Sequence, residues 1–288
     1  MQDGMYIITQ YKIHLERLGY SKTSISMLPA CTREFLEFTQ KKVNQIASKD
    51  ITAYHEYLQE RPNKRRTGGL SESYINHHIY ALKLFFGWQE EQGNIIENPI
   101  SSLVFKKPTS KSREILSTEE IKELYNACET LKEKATLSVF YGCGLRRTEG
   151  EKLNLKDIHF RSGILYVREG KGSKRRAVPM SEKVTQDLKS YALKERFAKQ
   201  NEMAFICNRI GTRTSGNSYN NILKKLLEKA GIEKEITLHC LRHSIATHLL
   251  ESGLSVEYVR DFLGHKHLES TQIYTRVKNK QLWNLNVI

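Results

Sequence analysis

Apolar side chains recur at three- and four-residue steps through the first hundred residues, a spacing that predicts amphipathic helices. Ser48 and Ser71 stand at the start of two of these stretches as candidate capping residues, and Gly93 follows the last one as a helix stop. Residues 1–97 are therefore predicted to form a helical domain. The three predicted apolar stripes are Ile25, Leu28, Phe35 and Phe38; Ile51, Tyr54 and Leu58; and Ile75, Ile79, Leu82 and Phe86.

The pattern changes at residues 98–114, which contain prolines, serines and basic residues without a helical period and are predicted to be a linker. Ser117 and Glu120 then have the spacing of a capping box and mark the first helix of a second domain, residues 115–288. Two β-rich runs, residues 164–168 and 176–178, flank a glycine-containing turn and predict a hairpin.

The rest of the second domain has the pattern of helices. The expected fold is therefore mainly α, with a small antiparallel β-hairpin in the second of two domains.

Charge narrows the choice of partner. Lysine and arginine total 46 against 32 acidic residues, a net charge of +14, which favours a polyanion such as nucleic acid over a basic protein without such a partner. No run of 18 apolar residues and no secretory leader is present, so a cytoplasmic protein without a membrane partner is expected. Five scattered cysteines indicate reduced thiols and not a disulfide framework.

A basic loop lies between the second and third predicted helices, in RPNKRRTGG. It contains Arg61, Lys64, Arg65 and Arg66 beside proline and glycine, and it is expected to be exposed. A solvated loop and a set of DNA phosphate contacts are both compatible with this composition.

Two arginine motifs carry candidate chemistry. HCLRH places His239 and Arg242 three residues apart, on one face of a helix, where their donors suit a phosphate; a buried histidine with a surface arginine is the alternative. GCGLRRTE uses two glycines to turn the backbone before Arg146, with Glu149 one helical turn later as a carboxylate that could orient Arg146 or His239.

Three further positions complete the pattern. Lys171 lies between two glycines at the predicted hairpin tip, where a proton-delivering lysine and an ordinary polar turn are both possible. LGHKH places His265 directly after Gly264, and Tyr274 follows nine residues later. A zinc site is disfavoured because the spaced histidines of HCLRHSIATH have no third ligand at a matching position.

Taken in order, GLRxxE, the hairpin GKG, HxxR and LGH with its tyrosine resemble the tyrosine recombinases, the phage-integrase and Xer-type family. The resemblance covers the second domain from LSTEE to YTRV, and more loosely the first domain as a SAM-like core-binding domain. It implies Arg146 and Arg242 as phosphate-clamping arginines, Lys171 as the hairpin lysine, His239 and His265 as active-site histidines, Tyr274 as the nucleophile and Glu149 as the supporting carboxylate.

By this resemblance, a tyrosine hydroxyl attacks a DNA phosphodiester and forms a 3′-phosphotyrosyl link, which stores the bond energy and dispenses with ATP. Fixed arginines stabilise the charge of the transition state, so no metal or other cofactor is expected. Cys143 and Gly150 depart from the family pattern and affect the expected local helix packing.

The expected partners are double-stranded recombination sites and further copies of the chain, as a tetramer on two paired sites joined through a Holliday junction. A second recombinase or an accessory protein is compatible with this. The apolar tail, residues 281–288, is expected either to dock into a neighbouring subunit or to fold back on its own domain. A type IB topoisomerase and a DNA-binding relative without catalysis are the competing functions, and the mobile element or chromosomal site served is not determined.

Overall fold

The computed structural model describes residues 2–63, 67–106, 114–168 and 175–264. The chain divides between Lys111 and Ser112 into two compact units, a division that falls inside the stretch predicted as a linker. Each unit has a hydrophobic core of its own. In the described part, no helix is long and apolar enough to cross a membrane.

The described part of the first unit is built from helices. α2 packs against α1 and α4, and α3 packs against α2 and α4. The helices are α1 (Gln2–Arg17), α2 (Lys22–Thr39), α3 (Ser48–Glu60) and α4 (Glu72–Glu91).

The apolar stripes predicted for α3 and α4 are buried, as the three- and four-residue spacing requires. Phe38 differs from the prediction, since its side chain is 40% exposed. It lies in the last turn of α2 and stacks on the ring of Tyr57 at the surface, with the ring centroids 4.8 Å apart.

The helix caps agree with the prediction at one serine and not at the other. The hydroxyl of Ser71 accepts a hydrogen bond from the Tyr74 amide and caps α4. Ser48 is instead the first helical residue of α3, and its hydroxyl donates to the carbonyl of Pro99 over 2.8 Å. The carboxylate of Asp50 takes the capping role by accepting from the Ala47 amide.

The beginning of the predicted linker packs on the first unit. Ile100 is only 2% exposed and belongs to the core of that unit, and Leu103 and Phe105 pack against the same core. These apolar side chains are too few to show a period, which is why the sequence pattern indicated a linker. Residues 107–113 lie outside the described part.

The second unit combines helices with a small sheet. Its helices are α5 (Thr118–Asn126), α6 (Leu131–Leu137), α7 (Arg147–Lys152), α8 (Glu182–Lys194), α9 (Gly216–Lys229), α10 (Leu238–Glu251) and α11 (Val256–Leu263). Its strands are β1 (Ile158–His159), β2 (Ile164–Val167) and β3 (Arg176–Pro179), in the order β1-β2-β3 and antiparallel throughout.

The predicted hairpin and the mainly helical fold are confirmed. β2 pairs with β3 in a register that places Leu165 opposite Val178, and both side chains are buried in the core of the unit. The capping box of Ser117 and Glu120 is also present at the start of α5.

The prediction of helix throughout the rest of the second domain was wrong in two places. The two-residue strand β1 is too short for a period of two to be visible. Residues 195–215 contain no α-helix, and the guanidinium of Arg196 stabilises them by donating to the carbonyls of Glu202, Ala204 and Phe205.

Candidate active site

The backbone before Arg146 turns tightly, as its two glycines predict. A π-helical turn over Ser138–Gly142 ends the preceding helix, with the Cys143 amide donating to the Ser138 carbonyl over 2.8 Å. Gly144 adopts a positive φ of 57°, which favours glycine. A Cβ atom on Gly144 would lie 2.9 Å from the side chain of Leu263, so the turn also packs closely on the end of α11.

A neighbouring aromatic ring explains why position 150 is occupied by glycine. A Cβ atom at this position would lie 2.5 Å from the ring of Phe140, which is fully buried. The ring therefore occupies the space that a larger residue at position 150 would need. Cys143, the other departure from the family pattern, is also fully buried in the core.

Glu149 binds Arg146 on both its backbone and its side chain. The Arg146 amide donates to Oε2 of Glu149, and Nη1 of its guanidinium donates to Oε1, each over 2.8 Å. Arg146 is the N-cap of α7, so the carboxylate also satisfies an amide at the start of that helix. Of the two partners that the sequence allowed for Glu149, the structure shows Arg146.

Arg176, at the start of β3, binds both oxygens of the same carboxylate. Its Nη1 and Nη2 atoms donate to Oε1 and Oε2 of Glu149, both over 2.9 Å, and its Nε donates to the carbonyl of Phe262 over 3.2 Å. The side chain is 7% exposed. Sequence reasoning missed Arg176 because it was assigned only as a strand residue; a basic residue at a buried strand position is the signal that could have found it.

The charge of Glu149 is fixed by these partners. Burial alone would raise the pKa of this carboxyl, but the hydrogen bonds and positive charges of Arg176 and Arg146 outweigh it and lower the pKa to about 2. The carboxylate is therefore ionised at neutral pH, and it partly offsets the positive charge of the arginines around it.

Arg242 is buried, with 2% exposure, whereas His239 on the same helix is exposed. This arrangement is the reverse of the buried histidine and surface arginine that the sequence left as an alternative. The guanidinium of Arg242 donates to the carbonyls of Gly144 and Leu263. Burial, followed by the positive charges of Arg146 and Arg176, lowers the pKa of Arg242 to about 9, so the group stays protonated at neutral pH.

The three arginines meet at the C-terminal end of α11, where helix carbonyls lack intrahelical partners and attract positive charge. Gly264 ends this helix, as predicted, with a φ of 65°. The three bonds go to successive carbonyls: Arg176 to Phe262, Arg242 to Leu263 and Arg146 to Gly264. The end of α11 is thereby fixed to α7, β3 and α10.

The histidines of α10 have different surroundings. The rings of His239 and His243 are in edge contact, with centroids 4.6 Å apart. His248 is buried in the core, where the hydroxyl of Tyr141 lies 2.9 Å from its Nδ1 atom. Within the described ranges, no group of three histidine, cysteine or acidic residues is arranged to hold a metal ion.

Several predicted site residues lie outside the described residues. They are Lys171, His265 and Tyr274, the loop residues Lys64, Arg65 and Arg66, and the tail, residues 281–288.

The prediction of an exposed basic loop was wrong for Arg61. Its side chain is 8% exposed and forms an ion pair with Glu34 over 2.8 Å. Arg61 is the cap of α3 and not part of the loop that follows, so its guanidinium turns back onto α2.

Known proteins are similar to this chain in sequence. Residues 114–281, more than half of the chain, match the family model described as the phage integrase family. The chain is 31% identical to a tyrosine recombinase of Thermosipho africanus, over 98% of this chain and 97% of the relative. It is also 31% identical to the tyrosine recombinase XerA of Pyrococcus horikoshii, over 96% of this chain and 90% of the relative.

The fold is similar to that of a lambda integrase dimer bound to a COC′ core site. The TM-score is 0.72 at 19% identity, over 91% of this chain and 92% of the integrase. The similarity in sequence and the matched family model lead to one conclusion: the chain belongs to the phage integrase family, the tyrosine recombinases, which are enzymes of site-specific DNA recombination.

Proposed function

We propose that this protein cuts and rejoins DNA strands at specific sites through a 3′-phosphotyrosyl intermediate, with Tyr274 as the nucleophile. The observation that carries the proposal is the pair of fixed guanidiniums, Arg146 and Arg242, at one end of α11. Their described partners take two of the five N–H donors of each guanidinium, and the others are suited to the non-bridging oxygens of a phosphate.

The proposed reaction is an exchange of phosphodiester bonds. The hydroxyl of Tyr274 loses its proton, its oxygen bonds to the phosphorus, and the bond to the 5′-oxygen of the DNA breaks. The 5′-oxygen takes up a proton, and a 5′-hydroxyl later reverses these steps to rejoin a strand. One phosphodiester is made for each that is broken, so the exchange needs no ATP.

Each group has a proposed role in this exchange. Arg146 and Arg242 stabilise the negative charge that develops on the phosphate, because their positions are fixed before the DNA arrives. His239 is exposed on the helix that carries Arg242, and it is the proposed base for the tyrosine proton. Lys171 is the proposed acid for the leaving oxygen, and His265 the proposed donor to a phosphate oxygen.

The proposed substrate is a pair of double-stranded core sites on which four copies of the chain assemble and exchange strands through a Holliday junction. The net charge of +14 supports a DNA partner. The fold similarity to an integrase bound as a dimer to a core site is also compatible with it.

The test uses a nicked core-site DNA, on which the covalent intermediate accumulates. The unmodified protein should form an adduct that is stable to denaturing gel electrophoresis. Tyr274→Phe should bind the DNA equally well and form no adduct. Tyr258→Phe, on α11 of the same unit, is the matched control and should form the adduct as the unmodified protein does. An adduct formed by Tyr274→Phe would refute the assigned nucleophile.

A further inference from the structure

We infer that Arg176 is a positioning residue for strand cleavage, because it contacts the two groups in the described part of the chain that accept hydrogen bonds from the guanidinium of Arg146. These groups are the carboxylate of Glu149 and the backbone of Gly264. The inference rests on the proposed cleavage at this site. It adds to that reaction a residue that is not expected to contact the DNA.

The first contact is with the carboxylate. Oε1 of Glu149 accepts from both Arg146, over 2.8 Å, and Arg176, over 2.9 Å, while Oε2 accepts from Nη2 of Arg176. The planar fork of Arg176 therefore sets the plane of the carboxylate. Without Arg176, the carboxylate would keep its hydrogen bond from the Arg146 amide but lose the fork that sets its plane. The oxygen that accepts from the Arg146 guanidinium would then be held less firmly in position.

The second contact is with the end of α11. Nε of Arg176 donates to the Phe262 carbonyl, and its Cδ atom lies 2.7 Å from where a Cβ of Gly264 would be. The side chain thus packs on the backbone of Gly264, whose carbonyl accepts from Nη2 of Arg146 over 3.1 Å.

These contacts close a ring that runs from Arg146 to Glu149, on to Arg176, then to Gly264 and back to Arg146. Arg176 is 7% exposed and Arg146 is 23% exposed, so the side chain on the solvent side of this ring is Arg146.

The test compares matched substitutions at two arginines of the second unit. Arg176→Gln and Arg176→Lys remove the planar fork, and lysine keeps the charge. Arg196→Gln and Arg196→Lys are the controls, since Arg196 also donates to several backbone carbonyls but lies outside the ring. For each variant, the single-turnover rate of adduct formation on nicked DNA is measured at saturating DNA, together with the Kd for the DNA and the melting temperature.

Both Arg176 variants should slow adduct formation at saturation by about a hundredfold, the scale of a misplaced reacting geometry. Their Kd for DNA should stay within about twofold of that of the unmodified protein, because Arg176 is not expected to contact the phosphate. The Arg196 variants should form the adduct at an unchanged saturated rate, even where they lower the melting temperature. Equal saturated rates for Arg176→Lys and the unmodified protein would overturn the inference.

A double-substitution cycle separates positioning from a general loss of stability. If Arg176 acts through Glu149, the rate of Arg176→Gln combined with Glu149→Gln should equal that of the slower single variant. The acid side of the pH–rate profile gives a second readout. Loss of Arg176 removes a partner that lowers the pKa of Glu149, so adduct formation by Arg176→Gln should decline at a higher pH than in the unmodified protein.

Additive effects of the two substitutions, or an unchanged pH profile, would contradict the inference. If Arg176→Gln does not fold, Arg176→Lys is used for the same measurements. Failure of this inference can also be distinguished from failure of the proposed function. An unmodified protein that forms no adduct with nicked DNA would refute the proposed function, whereas an active protein with fully active Arg176 variants would refute only the positioning role.

Discussion

The carboxylate of Glu149 binds the amide and the guanidinium of Arg146 at once, each over 2.8 Å. The two residues are one helical turn apart, so the contact forms as α7 forms. The cation is consequently held in place by the protein before any phosphate is bound, which is how fixed charges stabilise a transition state without the cost of reorganisation.

Glu149→Gln should lower the free energy of unfolding at pH 7 by about 3 kcal/mol, because it leaves buried arginines without their counter-charge. The pKa of Glu149 is about 2 in the folded protein and ordinarily 4.5, so its stabilisation is present above pH 4.5 and is lost as the pH falls towards 2. The difference between the two proteins should therefore shrink over that window. Denaturant unfolding at pH 7, 4 and 3 measures it.

The control for this experiment is Glu228→Gln. Glu228 lies on the surface of α9, where its carboxylate is 63% exposed and 3.8 Å from Lys224. Its substitution should leave the free energy of unfolding nearly unchanged at every pH. A difference for Glu149→Gln that stays constant between pH 7 and pH 3 would contradict the predicted ionisation.

Gly264→Ala should reduce adduct formation as well as stability. The positive φ alone costs about 1 kcal/mol for alanine, and its Cβ would also meet the side chain of Arg176 at 2.7 Å. Gly253→Ala is a close control, because Gly253 has a φ of 89° with nothing within 4 Å of the added Cβ. The control should lose about 1 kcal/mol of stability and keep its saturated cleavage rate. Equal cleavage rates for the two variants would show that the contact at Gly264 has no part in positioning.

Lys171→Ala should slow cleavage of ordinary nicked DNA, and a 5′-phosphorothiolate at the scissile position should restore most of the rate. Sulfur leaves readily without a proton, so the substrate bypasses a missing acid. Lys189→Ala, on α8, should cleave both substrates as the unmodified protein does. If the modified substrate rescues nothing, Lys171 contributes to the reaction in some way other than proton donation.

Arg61→Gln should destabilise the first unit without changing the salt dependence of DNA binding, because Arg61 is buried against Glu34. If Lys64, Arg65 and Arg66 contact phosphates, Gln substitutions at these positions should reduce the salt dependence of DNA binding and leave the stability nearly unchanged. Each lost phosphate contact lowers the slope of log affinity against log salt concentration by about 0.9. DNA-binding titrations at several salt concentrations measure the salt dependence, and denaturant unfolding measures the stability. A smaller slope for Arg61→Gln would restore Arg61 as a DNA contact.

Local patterns in the sequence determined much of the secondary structure of this protein. The stripes of α3 and α4, the capping box at Ser117, the hairpin and the stop of α11 at Gly264 depend on residues within a few positions of one another. The pairing of Arg146 with Glu149 is of the same kind, since the two residues are three positions apart in the chain. The order of the motifs was enough to predict the family that the comparisons then showed.

Contacts between distant segments were decided only by the tertiary structure. Arg176 meets Glu149 across 27 residues, Arg242 meets Gly144 across 98, and Arg146 meets Gly264 across 118. No period or spacing in the chain encodes such pairs. Packing determines which charged side chains lose water and which charges must then lie beside them. It explains the burial of Arg242, the ion pair between Arg61 and Glu34, and the role inferred for Arg176.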